Sequence, residues 1–252
     1  MALRSMFVAT TALVLCVSTS FARQEPMPVN ANAQFVSWYG GMPSAGVKYR
    51  LMPRDGSTLL YAQSASSGFS TYAISDWFVW GSAPSCGCYS AMAADDFIIP
   101  GTGKYRITAV YAPGITLSGG EPSQIYVAFY DTLKYSKKTG KTTIALKADC
   151  YTTSYSDTNG HGDFLVDVSS CKLGRFNGGH DYSVAVQPWF YSNGKWAWQT
   201  NRNQIKRQAF FVANGGTGPC NAYFRPVKIC FPQSGYGPDL AFAIYGRPVE
   251  PP

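Results

Sequence analysis

Hydrophobic and polar positions alternate with a period of two along much of the second half of this chain. In 104–110, Tyr105, Ile107 and Ala109 face one way and Lys104, Arg106 and Thr108 the other. The stretches Asp163-Phe164-Leu165-Val166-Asp167-Val168 and Asp181-Tyr182-Ser183-Val184-Ala185-Val186-Gln187 repeat the pattern. This is the signature of half-buried strands. In Ser123-Gln124-Ile125-Tyr126-Val127-Ala128-Phe129-Tyr130-Asp131 the apolar residues fall on both faces, which predicts a central strand. Further strands are predicted at 57–62, 142–150, 208–213 and, closing the domain, 239–246. No helix-period segment longer than about ten residues is evident. These patterns predict an all-β, antiparallel sandwich of jelly-roll type with roughly nine to eleven strands.

Turn residues punctuate the strands. Ala94-Asp95-Asp96-Phe97-Ile98-Ile99 runs into Pro100-Gly101 and then into the strand at 104–110, which reads as a hairpin opened by two carboxylates. Asp157-Thr158-Asn159-Gly160 and Asn177-Gly178-Gly179 mark two more turns. Ser192-Asn193-Gly194-Lys195 is the strongest hairpin signal, because Asn-Gly tolerates the positive φ angles of a type I′ turn. If Asn193-Gly194 is a two-residue loop, Tyr191 faces Trp196 and Trp189 faces Trp198. All four rings would then share one face, with Phe190 and Ala197 on the other. Such a face is either a core wall or a platform for sugar rings. Trp189, Tyr191, Trp196 and Trp198 are therefore the candidate ligand-binding residues.

The N-terminus has the features of an export signal. Arg4 supplies positive charge, 7–17 is apolar and uncharged, and Ser20-Phe21-Ala22 offers small residues for cleavage. The apolar run is too short to span a bilayer. The domain organisation expected is a signal peptide at 1–22, an N-terminal extension at 23–50, one β-sandwich domain at 51–247 and a polar tail at 248–252. Export makes the protein secreted and extracellular, without stable membrane insertion.

Cysteine usage agrees. One of the seven cysteines, Cys16, lies in the leader, leaving Cys86, Cys88, Cys150, Cys171, Cys220 and Cys230. An even set in an exported chain reads as disulfides. Fifteen connectivities are open, and the simplest, nearest-neighbour pairing, gives Cys150–Cys171 and Cys220–Cys230. Cys86-Gly87-Cys88 would close a small strained ring, so those two have other partners open to them.

Aromatic residues are 15% of the chain and charged residues 14%, a balance that excludes intrinsic disorder. The formal net charge is +7, with the basic residues scattered. A solvated surface explains them, and weak attraction to acidic glycans is the functional reading. Nucleic acid is not expected as a partner, since no reader motif is present.

Several of these pieces, taken in order, resemble a known family. They are Ala94-Asp95-Asp96-Phe97-Ile98-Ile99-Pro100 with Ile107-Thr108-Ala109-Val110, then Gly162-Asp163-Phe164-Leu165-Val166, and then Gly179-His180-Asp181-Tyr182-Ser183-Val184-Ala185-Val186-Gln187. Trp196-Ala197-Trp198 and Asp239-Leu240-Ala241-Phe242-Ala243-Ile244-Tyr245-Gly246 complete the set. The chain resembles, over about 90–247, an uncharacterised family of secreted jelly-roll-like β-sandwich modules found mostly in bacterial extracellular proteins. The resemblance implies a binding or surface module and carries no catalytic residues with it.

Catalytic constellations are sparse. Asp95 and Asp96 are the tempting acid pair, but neighbours in a strand point to opposite faces and cannot flank one bond. No Gly-x-Ser-x-Gly elbow accompanies His161 or His180. Asp157, Asn159 and Gly162 occupy calcium-loop positions, but Val168 stands where the twelfth-position glutamate belongs. No cofactor is expected, apart from a structural calcium at this loop or at Asp96 and Asp239. The expected function is non-catalytic binding of glycans or of the cell surface, with an extracellular glycan or surface protein as partner. A structural or interaction protein of a wall, matrix or coat is the alternative, and a secreted hydrolase the second alternative.

Overall fold

The computed structural model describes residues 56–249 apart from 65–71, 76, 81–86, 192–193, 202, 215–219, 221–222 and 233–236. The leader, the extension at 23–50, the end of the tail, Cys86 and the side chain of Cys88 lie outside the described residues.

Almost every described element is a strand. In chain order they are β1 (Thr58–Gln63), β2 (Tyr72–Ile74), β3 (Trp77–Trp80), β4 (Gly87–Ile98), β5 (Lys104–Ala112) and β6 (Gly114–Ser118). Next come β7 (Gln124–Ser136), β8 (Lys141–Thr152), β9 (Tyr155–Asp157), β10 (Phe164–Asp167), β11 (Phe176–Asn177) and β12 (Asp181–Phe190). The last are β13 (Lys195–Asn201), β14 (Phe210–Asn214), β15 (Arg225–Pro226), β16 (Asp239–Leu240) and β17 (Phe242–Pro248). One helix, α1 (Val227–Cys230), spans four residues. The strand number exceeds the sequence expectation because several strands are only two or three residues long, too short to show a period of two.

The strands build a six-stranded sheet, β1-β17-β5-β10-β9 with β11 beside β5, and a seven-stranded sheet, β15-β14-β4-β3-β12-β7-β8. A smaller sheet, β16-β13-β2 with β6 beside β13, lies alongside them. The pairings are antiparallel except for β12 with β3, where β3 fits between β4 and β12 as they diverge. The two large sheets face each other. Phe97 of β4 meets Phe242 of β17 edge-on at 6.4 Å, and Phe129 of β7 meets Phe176 of β11 at 5.1 Å. The central position expected for β7 is correct, since it pairs with β12 on one side and β8 on the other.

Neither expected hairpin forms. β4 belongs to the seven-stranded sheet and β5 to the six-stranded one, so Pro100-Gly101 carries the chain from one layer to the other. The turn at Gly178-Gly179 pins this arch: Gly178 N donates to Gly103 O at 2.7 Å and Gly179 N to Ile99 O at 2.8 Å. A Cβ on Gly178 would stand 2.5 Å from Gly101 O, so only glycine allows the approach. The closing strand β17 does pair with β5, as Ala243↔Tyr111 and Ile244↔Val110.

Likewise β12 and β13 do not pair. β12 lies in the seven-stranded sheet and β13 in the small one, against β6, β2 and β16. Asn193 lies outside the described residues; a turn sequence reports local backbone preference and does not fix which sheet receives the next strand. Gly194 still has a role, because a Cβ there would lie 2.0 Å from the Phe190 ring.

Two disulfides join the expected partners, Cys150–Cys171 and Cys220–Cys230. The seven-stranded sheet is curled. The Thr142 hydroxyl near the start of β8 donates to Phe224 O, beside β15 at the opposite edge. The curl encloses a second apolar cluster on the outer face, with Ala94, Ala128 and Ala185 beneath Tyr130, Phe210 and Phe224.

Candidate functional site

The two aspartates of β4 lie within the strand, not at its start, and both are buried. That corrects the reading of two carboxylates that open the strand. Asp95 points into the sandwich. Its Oδ2 accepts from Gln63 Nε2 at 2.9 Å and Leu240 N at 2.6 Å, and its Oδ1 accepts from Asp96 N at 2.8 Å. Burial, followed by the nearby charge of Asp239, holds its pKa well above the ordinary carboxylate range.

Asp96 leaves by the other face toward Arg207, whose Nε lies 3.7 Å from Asp96 Oδ2. The same guanidinium reaches Asp181 Oδ1 at 2.8 Å. Burial raises the Asp96 pKa and Arg207 opposes the rise. Asp239 accepts from Ile205 N through Oδ2 at 2.5 Å, and burial pushes its pKa up to about 7. Asp96 Oδ2 and Asp239 Oδ1 are buried without a hydrogen-bond partner. Those oxygens are of the kind a structural calcium uses, and among the described residues no group of three His, Cys, Asp or Glu side chains gathers around them.

Asp157 and Asp163 take hydrogen bonds from their surroundings. Asp157 Oδ2 accepts from Gly162 N at 2.9 Å, and Asn159 Oδ1 accepts from His161 N at 2.8 Å. Asp163 spends its carboxylate on Gly114 N and the Tyr111 hydroxyl. The calcium-like sequence is thus a turn closed on its own backbone. His180 turns toward Asp131, at 3.9 Å, while its sequence neighbour Asp181 is held by Arg207.

The four candidate binding rings are split between the core and the surface. Trp196 and Trp198 are fully buried. The Trp196 indole N–H donates to Gly162 O and that of Trp198 to Ala241 O, each at 2.7 Å. Trp196 fits because position 114 is glycine, where a Cβ would come within 2.4 Å of the indole. They are core, and the four-ring platform is corrected: β12 and β13 sit in different sheets, so their residues share no face. Tyr191 is 84% exposed. Trp189 is half-buried on the outer face of the curled sheet.

There Trp189 joins two residues that the sequence reading did not single out. Tyr151 of β8 meets Trp189 edge-on at 5.1 Å and lies 4.6 Å from Tyr126 of β7. Trp189 Nε1 donates to Gln187 Oε1 at 3.2 Å, and Tyr126 OH to Asp149 Oδ2 at 3.2 Å, so polar partners fix the flanking rings. Tyr151 is 53% exposed and outermost. The only sequence signal was Tyr126 within one predicted strand and Tyr151 just past the end of the next, predicted at 142–150. Bringing them face to face needs the register Tyr126↔Tyr151, which the turn sequences do not disclose.

Beyond the end of this ring run lies a cleft of about 810 Å³ between the 116–123 segment and the 153–161 segment. Hydroxyls from Thr116, Ser118, Ser123 and Thr153 line it, with Tyr155 and the charged groups Glu121 and Asp157. Its size is ordinary for a small-ligand site.

No family model matches the chain, and no curated protein or solved structure matches it significantly.

Proposed function

We propose that this protein is a secreted, non-catalytic β-sandwich module that binds glycans, and that Tyr126, Tyr151 and Trp189 form its binding face. The observation carrying this reading is the contiguous run of three rings on the solvent side of the curled sheet, with Tyr151 53% exposed. Aromatic faces stack on the apolar faces of sugar rings, and solvent-exposed aromatic clusters mark binding sites. The signal-like N-terminus and the two disulfides support export to an oxidising compartment. The test is a pull-down of the mature protein on insoluble polysaccharides, followed by tryptophan fluorescence titration with soluble fragments. Tyr151→Ala is expected to lower affinity by about tenfold or more while leaving the thermal midpoint unchanged. Equal retention of the variant and the parent protein would overturn the reading.

A second reading, an interaction protein of an extracellular wall, matrix or coat, is favoured by β8. Among the described residues this strand pairs with β7 alone and exposes Ile144 and Leu146, as a strand docking against another protein would.

A further inference from the structure

The cleft beside the ring run has a chemistry opposite to that of the chain as a whole. The protein carries a formal charge of +7, yet among the described residues no lysine or arginine lines the cleft. Its charged side chains are Glu121 and Asp157, with His161 at the rim. Both carboxylates are felt at the Tyr155 hydroxyl, whose pKa is raised first by burial and then by Glu121 and Asp157.

The cleft continues the ring run. Ser123 lines the cleft and donates to Trp189 O from its amide at 2.7 Å and its hydroxyl at 2.9 Å. Thr153, another lining residue, follows Tyr151 by two positions, so the step along the chain is about 7 Å.

The walls are also fixed in place. Tyr155 OH donates to Pro122 O at 2.5 Å and Thr116 N to His161 O at 2.7 Å. Gly162 has φ +114°, and a Cβ there would meet Thr116 N at 2.6 Å, so glycine permits the two walls to close. A site held this firmly loses little freedom on binding.

We infer that the cleft is the selectivity end of the binding path and takes an amine-bearing sugar unit, with the hydroxyl lining satisfying its hydroxyls and Glu121 and Asp157 facing its ammonium. This inference rests on the proposed glycan-binding face. The whole-chain charge favours acidic glycans at long range. At contact distance the cleft reverses that preference, because a uronate would face two like charges.

The experiment compares three oligosaccharides of equal length against the mature protein by calorimetry at low ionic strength: a neutral N-acetylated amino-sugar oligomer, its de-N-acetylated form and a uronate oligomer. The de-N-acetylated form is expected to bind about two- to fivefold tighter than the neutral one, with the uronate weakest. Glu121→Gln, a change at an exposed position, is expected to shrink that preference. Raising the salt to about 0.5 M is expected to do the same. If the oligomers bind alike, or Glu121→Gln leaves the order untouched, the cleft inference fails and the ring face stands. If none binds, the proposed function itself fails.

Discussion

Gln63 Nε2 donates to Asp95 Oδ2 at 2.9 Å, and the same amide nitrogen donates to Leu240 O at 2.9 Å. Leu240 N in turn donates to Asp95 Oδ2 at 2.6 Å. Gln63 belongs to β1, Asp95 to β4 and Leu240 to β16, so this buried triangle ties all three sheets together. A carboxylate that looked like chemistry in the sequence is a joint of the fold.

Removing that joint is expected to be costly. Asp95→Ala removes the acceptor of the Leu240 N–H and one of the two acceptors of the Gln63 amide in the interior. At about 1–3 kcal/mol for each orphaned buried donor, a loss of roughly 3 kcal/mol follows. Urea unfolding should show the midpoint falling with an unchanged m value. A loss below about 1 kcal/mol would mean that the triangle contributes little.

Stability should fall as pH rises from weakly acidic to neutral. Asp239 titrates near pH 7 in the folded protein, against an ordinary value of 3.8 when unfolded. Between those values the folded state holds a proton that the unfolded state has released, so raising the pH favours unfolding. Asp95, Asp96 and Asp163 are shifted upward too and act in the same direction. The thermal midpoint is therefore expected to be higher at about pH 5 than at about pH 8. Asp239→Asn, which keeps an acceptor for Ile205 N, should flatten the slope. A midpoint that climbs steadily from pH 5 to 8 contradicts this.

The tryptophans separate core from surface. Trp198→Ala and Trp196→Ala should each cost about 3–5 kcal/mol, because each empties a fully buried indole site and strands a backbone carbonyl. Tyr151→Ala should stay within about 0.5–1 kcal/mol of the parent protein. Chemical denaturation of the three variants checks the contrast, and a Tyr151→Ala loss as large as those of the tryptophans would move that ring into the core.

Strand content and the all-β class were legible in the sequence because they are local properties, and the two disulfides formed are those of the simplest among the open pairings. Alternation along β5, β10 and β12 reports which residues face inward, and cysteine spacing limits the partners. The opposite orientations of Asp95 and Asp96 followed from strand geometry alone. What the sequence could not supply was the sheet to which each strand belongs. Pro100-Gly101 looks like a hairpin turn yet leads from one sheet to another, and the strands flanking the Asn193-Gly194 signal belong to different sheets; a turn sequence carries no information about the layer that receives the next strand. That difference buried Trp196 and Trp198, and the β7–β8 register brought Tyr126 and Tyr151 together beside Trp189. The cleft arose in the same way, from two loops distant in sequence that meet only when the sheets pack. Backbone preference and periodicity act over a few residues, whereas contacts between sheets are chosen by burial of the whole chain, and the candidate site is built from those contacts.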